Sequence, residues 1–257
     1  MISSYFQGGL GNQMFQIAAA VSLAADNADT TIFNMAYHDL PKQGRKCHNY
    51  LSSILRNVNF SYDYKPSNIY NEPHYHYHKI PYSPNLCLVG YFQSERYFSH
   101  NKQLIRELFS IDIDSEELIR MKYDNILSEE IVSVHIRRGD YLTSSGAHPT
   151  CTREYYDAAI GSFPEGTRYL FFSDDISWCK DNFIGGNYYF SENNQDFIDM
   201  FLMSKCSHNI IANSSFSWWG AWLNDNAGRR VISPKNWFGG NMNHNTKDVR
   251  PSNWEII

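Results

Sequence analysis

The sequence predicts a doubly wound α/β fold built on parallel sheets, and three observations predict it. Short apolar runs such as Ile131-Val-Ser-Val-His-Ile136 and Arg168-Tyr-Leu-Phe-Phe172 alternate with helix-period segments through the second half of the chain. The chain opens as strand, glycine turn and helix. Its unusual polar residues gather where strands end and helices begin, which is where open α/β sheets bind ligands. A length of 257 residues allows one large domain or two small ones.

Met1 to Phe6 is the first expected strand, Gly8-Gly-Leu-Gly-Asn12 the turn, and Met14 to Ala25 a helix whose small residues let it lie tightly on a sheet. Thr30-Thr-Ile-Phe-Asn34 then completes a β-α-β unit. From 35 to 100, proline, asparagine, tyrosine and histidine break any period, so long loops are expected, with Leu86 to Phe92 as one buried strand. Helices follow at about 95–109 and 115–127, the second capped by Ser115 with Glu116 and Glu117 in its first turn. Further on, Ile131–Ile136, Arg168–Phe172, Tyr188–Phe190, Asn209–Ala212 and Arg230–Ser233 read as strands. Between them lie helices from the Thr152 cap to Ile160, over Trp178–Asn182, from Gln195 to Cys206 under an Asn193 cap, and over Phe216–Leu223.

Composition narrows the function. Lys plus Arg number 22 against 27 Asp plus Glu, so the charge of −5 offers no broad basic face for nucleic acid. With 18 Tyr, 16 Phe and 6 Trp and only 19% charged residues, the chain is built to pack rather than to stay disordered. Five cysteines without a C-x-x-C pair argue against a disulfide framework or a structural zinc site. The first residues carry no basic segment or signal-like apolar stretch, and no run nears the ~18 apolar residues of a membrane span. A cytoplasmic protein is expected, for which the sequons at Asn59 and Asn213 have no consequence; a peripheral hold on a membrane stays compatible with this.

Four loops carry candidate chemistry. In Gly8-Gly9-Leu-Gly11-Asn12-Gln13-Met14 the backbone can approach a ligand ahead of a helix N-terminus; Met14 stands where a dinucleotide fingerprint needs glycine. In His135-Ile-Arg137-Arg138-Gly-Asp140, alternation puts His135 and Arg137 on one side, for an anion, and Arg138 with Asp140 on the other, as an ion pair holding the loop. Asp174 and Asp175 at a strand end can accept from a base or ribose, or one of them can cap the next helix. Asn213-Ser214-Ser215-Phe216 joins hydroxyls to helix-terminal amides, suited to phosphate. Trp219 and Trp222 read as core, and Gly220 as a close approach of that helix to the sheet. Asp112-Ile-Asp114 reads as a solvated helix start rather than a metal motif. His74, His76 and His78 alternate as one strand face would, without a carboxylate or cysteine to complete a metal site.

Gly8-Gly-Leu-Gly-Asn-Gln-Met-Phe-Gln16, His135-Ile-Arg-Arg-Gly-Asp140, Phe172-Ser-Asp-Asp175 and Asn213-Ser-Ser-Phe-Ser-Trp-Trp-Gly-Ala-Trp222 together resemble, in order, the four motifs of the α1,2-fucosyltransferases of glycosyltransferase family 11. The resemblance implies a GT-B-like pair of small Rossmann-type domains facing a cleft, residues 1–128 on the acceptor side and 129–257 binding GDP-fucose. It implies GDP-β-L-fucose as donor, a terminal β-galactoside in a glycan as acceptor, inversion to an α1,2 linkage, and no cofactor or metal. Arg137 would neutralise the diphosphate, with His135 and Asp140 beside it as catalytic residues. His135 and the Asp174-Asp175 loop would lie near the nucleoside, with Arg138 in the same donor site. The Ser214-Ser215-Phe216 turn would hold phosphate, and Gly9, Gly11 and Asn12 would reach the donor from the first domain. The general base stays open among His135, Asp140 and acidic residues of the middle segment, and the Tyr/His-rich stretch 62–82 is a candidate acceptor surface. A fucosyltransferase of another linkage and a GDP-sugar-binding protein without catalysis are the alternatives.

Overall fold

A computed structural model describes residues 1–36 and 47–257; the part of the expected middle loops at 37–46 lies outside the described residues. The chain divides into two compact units, Met1–Asp112 with His244–Pro251, and Ile113–Asn243 with Ser252–Ile257.

The first unit opens with β1 (Ile2–Tyr5) and α1 (Leu10–Asp26). The helix starts earlier than the glycine pattern suggests, because only Gly8 (φ 72) and Gly9 make the turn. Gly11 and Asn12 therefore sit in its first turn, and a Cβ on Gly8 would come within 2.1 Å of Asn12 Nδ2. Ala18, Ala19, Ala20 and Ala24 are buried, which is how the alanine run lets α1 lie on the strands. The expected β-α-β unit closes through a parallel bridge from Ile2 to Thr31; β2 (Phe33–Asn34) itself pairs with β3 (Phe60–Ser61). β4 (Asn68–Asn71) and β5 (Leu86–Val89) complete a parallel sheet of order β1-β5-β4. β5 ends three residues short of the expected Phe92, since the chain turns at Gly90. The helix expected at 95–109 breaks into two 3-10 turns, Glu95–Tyr97 and Ser99–Asn101, before α2 (Lys102–Leu108).

The second unit begins with α3 (Ile113–Leu127), two residues ahead of the Ser115 cap read from sequence; Ser115 lies inside the first turn, beside Asp114 and Glu116, whose carboxylates suit the helix's positive end. Then follow β6 (Ile131–Ile136), α4 (Arg153–Gly161), β7 (Arg168–Ser173), α5 (Ile176–Asn182), β8 (Tyr188–Phe190), α6 (Asp196–Lys205), β9 (His208–Ile210), α7 (Ser215–Leu223), β10 (Val231–Ser233) and β11 (Glu255–Ile256). All pair in parallel in the order β11-β10-β9-β6-β7-β8. Thr152 caps α4 as expected, accepting from Tyr155 N–H. Asn193 does not cap α6: it takes φ 58, and Asn194 instead donates to Ser191 Oγ and Asp199 Oδ1 at 2.8 Å each.

The unit boundary thus falls at 112/113 rather than at 128/129. α3 belongs with the second unit because Tyr123 bonds Ser191 Oγ at 3.2 Å and Lys122 donates to the Glu192 carbonyl at 2.6 Å. Residues 244–251 return to the first unit, where Asp248 accepts from Tyr77 N–H at 3.0 Å and pairs with Arg96 at 3.0 Å.

Trp218, Trp219 and Trp222 are buried core, as the sequence suggests for the latter two. Gly220 permits a close approach, but to α6 rather than to the sheet: a Cβ there would meet Met203 Cβ at 2.9 Å and the Met200 carbonyl at 3.3 Å. We expect Gly220→Ala to cost ~1–3 kcal/mol of stability in denaturant unfolding, because neither contact is the free end of a side chain. No loss would mean that the two helices can part without cost. Among the described residues no helix is long and apolar enough to cross a membrane, and the five cysteines are free thiols.

Candidate active site

In the second unit's sheet, β7 and β8 extend to one side of β6 while β9, β10 and β11 extend to the other. The chain direction switches between β6 and β9, and this is where an open parallel sheet leaves a crevice at its carboxyl ends. The loops leaving β6, β7 and β9 there carry three of the four sequence motifs.

His135 is the fifth residue of β6, fully within the strand and buried. Its carbonyl accepts from the Tyr156 hydroxyl at 3.1 Å, and its ring lies 5.6 Å from that of Phe216 in α7. Burial, reinforced by the Arg137 charge, lowers its pKa to about 3, so the imidazole is neutral at ordinary pH. A neutral ring suits hydrogen bonding better than carrying a proton. Its Nδ1 is buried without a partner.

Past Ile136 the strand ends, and residues Gly139–Leu142 form a 3-10 turn. The alternation assumed from sequence stops here, so the expected Arg138–Asp140 pair does not form. The turn brings Asp140 back to Arg137, Nη2 to Oδ1 2.6 Å, while Arg137 Nη1 reaches Asp174 Oδ2 at 3.0 Å. Arg138 pairs instead with Asp175, Nε to Oδ2 3.1 Å, and lies over the Trp178 ring at 3.8 Å. Asp174 also accepts from Arg138 N–H at 2.9 Å. A Cβ on Gly139 would approach Asp174 Oδ2 to 2.5 Å, so glycine is what admits this carboxylate. Asp175 is the helix cap of the two, accepting from Trp178 N–H at 3.2 Å.

The third loop is anchored by Asn213, whose Nδ2 donates to the Pro149 and Trp237 carbonyls at 2.9 and 3.1 Å. The Tyr141 hydroxyl donates to the Asn213 carbonyl at 3.1 Å, tying the Arg137 turn to the start of α7. Ser214 caps α7 by accepting from Phe216 N–H at 3.3 Å, and Ser215 is its first residue.

The structure therefore gathers His135, Arg137, Arg138, Asp140, Asp174, Asp175, Ser214 and Phe216 at one end of one sheet. Gly9, Gly11 and Asn12 belong to the first unit. Two guanidiniums face three carboxylates, so this is no open cationic patch; it is a held guanidinium whose contacts leave most of its five N–H donors uncommitted. Asp140 Oδ2, like His135 Nδ1, is buried without a partner. Buried polar atoms are normally bonded, and these two lie beside one arginine at the carboxyl end of the sheet.

The sequence profile of glycosyl transferase family 11 matches residues 1–257. The chain belongs to glycosyl transferase family 11. Among its relatives, the O-antigen biosynthesis glycosyltransferase WbnK of Escherichia coli is 34% identical over 93% of this chain and 95% of its own. An alpha-1,2-colitosyltransferase of Escherichia coli is 41% identical over 66% of this chain and 61% of its own length, and galactoside alpha-(1,2)-fucosyltransferase 2 of Oryctolagus cuniculus 26% over 84% and 65%. The family 11 chain shares its fold with the NodZ alpha-1,6-fucosyltransferase soaked with GDP-fucose, at a TM-score of 0.60 and 14% identity over 95% of this chain and 97% of that one. Its class is α/β, GT-B-like, each unit carrying its own parallel sheet.

Two residues that sequence reasoning passed over lie at the carboxyl end of the first unit's sheet. Glu72, just after β4, accepts from Tyr91 and Phe92 N–H at 2.7 and 3.0 Å, and burial lifts its pKa to about 7. Gln93 donates to Asn12 Oδ1 at 2.7 Å. The signal was partial, since only Gln93-Ser94 follows the strand expected over Leu86 to Phe92 as the other motifs follow theirs. His74, His76 and His78 do not form a strand; the first two rings stack at 5.1 Å, and among the described residues no group of three potential ligands could hold a metal.

Proposed function

We propose that this chain transfers L-fucose from GDP-β-L-fucose to the 2-hydroxyl of a terminal β-galactoside, with inversion and without a metal, in the cytoplasm. One observation carries the reading beyond the family: Arg137 is fixed at the sheet's switch point by two carboxylates and flanked by two unpartnered buried polar atoms. In a single displacement the galactose hydroxyl attacks C1 as GDP departs from the opposite face, and negative charge gathers on the leaving phosphate. A guanidinium already held in place stabilises that charge without reorganising, an effect typically worth ~3–4 kcal/mol per well-placed donor. The first turn of α7, with Ser214, Ser215 and Phe216, adds backbone donors and a favourable dipole for phosphate. His135 supplies a neutral hydrogen-bonding ring near the nucleoside. Arg138, locked to Asp175 and Trp178, shapes the loop, and Asp174 and Asp175 face the nucleoside. Asp140 lies 2.6 Å from Arg137 and orients the guanidinium toward the leaving phosphate; the proton of the attacking hydroxyl passes to a base or water on the opposite face. Gly9, Gly11 and Asn12 are further donor contacts, and the 62–82 stretch serves the acceptor.

A second reading, transfer of colitose in place of fucose, is favoured by the 41% identity to the colitosyltransferase. Colitose is fucose without the 3-hydroxyl, so the two donors differ by one polar contact. Incubation of the purified chain with GDP-fucose or GDP-colitose, lactose and a chelator tests both. We expect a product whose NMR spectrum shows an α1,2 linkage, formed at the same rate with and without chelator. Preference for GDP-colitose selects the second reading; metal dependence sinks the metal-free part. GDP binding without transfer from either donor leaves only a sugar-nucleotide-binding protein.

A further inference from the structure

The first unit holds a hydrogen-bonded chain of side chains whose central member, Gln93, and whose support, Glu72, have no part in the roles above. After β5 the backbone turns through Gly90 and then Phe92, a fully buried phenylalanine at φ 52. A bulky L residue in the left-handed region costs on the order of 1–3 kcal/mol and persists only where its surroundings impose it. Glu72 imposes it, by accepting from the N–H groups of Tyr91 and Phe92, and Gly90 makes room, since a Cβ there would come within 2.4 Å of Glu72 Cβ. What the turn delivers is Gln93, buried to 7% exposure, with its amide set between two partners.

The Tyr75 hydroxyl donates to Gln93 Oε1, and Gln93 Nε2 donates to Asn12 Oδ1 at 2.7 Å. A phenol is a better donor than acceptor, so Tyr75 faces the carbonyl of Gln93 and thereby turns the amide nitrogen toward Asn12. That nitrogen occupies the Asn12 carbonyl. Asn12 is left with its own amide N–H2 uncommitted, set against the Gly8 turn, and none of the described residues bonds its Nδ2. A free asparagine can present either end; this one presents only its donor.

We propose that Tyr75 and Gln93 are positioning residues that fix Asn12 as a hydrogen-bond donor to an oxygen of the bound substrates. The inference rests on the transfer reading given above. A donor whose orientation is set before the substrate arrives need not reorganise during reaction, and removal of one such donor typically lowers turnover by roughly 100-fold or more. Glu72 supports the arrangement from behind, through the turn that carries Gln93.

Gln93→Glu tests the polarity, because it keeps the size and permits a bond to Asn12 while reversing its direction: a carboxylate only accepts, so Asn12 must turn its N–H inward. We expect kcat/KM to fall roughly 100-fold at an unchanged melting temperature. Asn12→Asp, which keeps Oδ1 for Gln93 and removes the N–H, should match it, and Tyr75→Phe should lose less, about fivefold for one neutral hydrogen bond. A role in packing alone would leave kcat/KM of Gln93→Glu and Asn12→Asp near the wild-type value, and that result overturns the proposal. Side-chain amide NMR of the ligand-free protein reads the same polarity without any reaction. Asn12 Nδ2 protons should exchange freely in the wild type and become protected in Gln93→Glu; equal exchange in the two proteins also overturns it. The NMR pattern in a protein that transfers nothing from either donor would fault the transfer reading and leave the relay standing.

Discussion

Arg137→Lys is expected to lower fucosyl turnover by at least roughly a hundredfold, with the fold intact. Lysine keeps the charge but replaces a planar fork of five donors with a single ammonium. In this site the fork serves three partners. Two are visible, Asp140 at 2.6 Å and Asp174 at 3.0 Å, and they come from different loops, one after β6 and one after β7. The third, on the proposed reading, is the leaving diphosphate. An ammonium on a flexible stem cannot span both carboxylates and still meet phosphate in a fixed direction, so the loss should appear in kcat more than in the KM for GDP-fucose. Arg137→Ala should be worse for stability as well, because it strands two carboxylates, one of which already has a buried oxygen without a partner. Steady-state kinetics with circular dichroism as a control for folding decides the matter. Near-normal turnover in folded Arg137→Lys would remove Arg137 from the catalytic role.

The second unit was far more legible in the sequence than the first. Strands buried on both faces of a parallel sheet read as continuous apolar runs, and β6 is buried at all six positions, so its bounds are those of Ile131-Val-Ser-Val-His-Ile136. The Thr152 cap was equally plain, and of the Asp174-Asp175 pair it is Asp175 that caps, whereas the caps expected at Ser115 and Asn193 do not form and the one at Ser214 was not read. The first unit offers two-residue strands in β2 and β3 and an exposed β4, which leave no period to read. Its key contacts also join distant positions, such as Glu72 to Tyr91 and Gln93 to Asn12, and local patterns carry no such information. Among the residues of the β6 loop, the expected Arg138–Asp140 pairing does not form; Asp140 pairs with Arg137 and Arg138 with Asp175. Alternation predicts sides only while the chain is extended; once Gly139 lets it coil into a 3-10 turn, the partner three residues on is the near one.

Stability should respond to pH in opposite senses in the two units, and this is the larger of the expected effects on the fold. His135 has its pKa lowered from 6.5 to about 3 by burial and by Arg137. The unfolded chain then binds a proton below pH 6.5 that the folded one refuses, so its contribution is intact above 6.5 and falls away as pH drops toward 3, by up to ~5 kcal/mol at 1.36 kcal/mol per unit. Glu72 runs the other way. Burial raises its pKa from 4.5 to about 7, against three opposing donors, the Phe92 and Tyr91 N–H groups and the Tyr97 hydroxyl. Its contribution is whole below 4.5 and is lost as pH rises through 7, by ~3 kcal/mol. Between about 4.5 and 6.5 the two slopes cancel in any transition that unfolds both units together, and the wild type should look indifferent to pH there. Single substitutions uncover the slopes. Denaturant unfolding of His135→Gln should show stability falling as pH rises across that window, and Glu72→Gln should show it rising. Hydrogen exchange read separately for β6 and β5 should reveal both trends in the unmodified protein, because each group acts on the unit that buries it. A flat response in His135→Gln would mean that Glu72 is hydrated in the folded state, and a flat response in Glu72→Gln that His135 is.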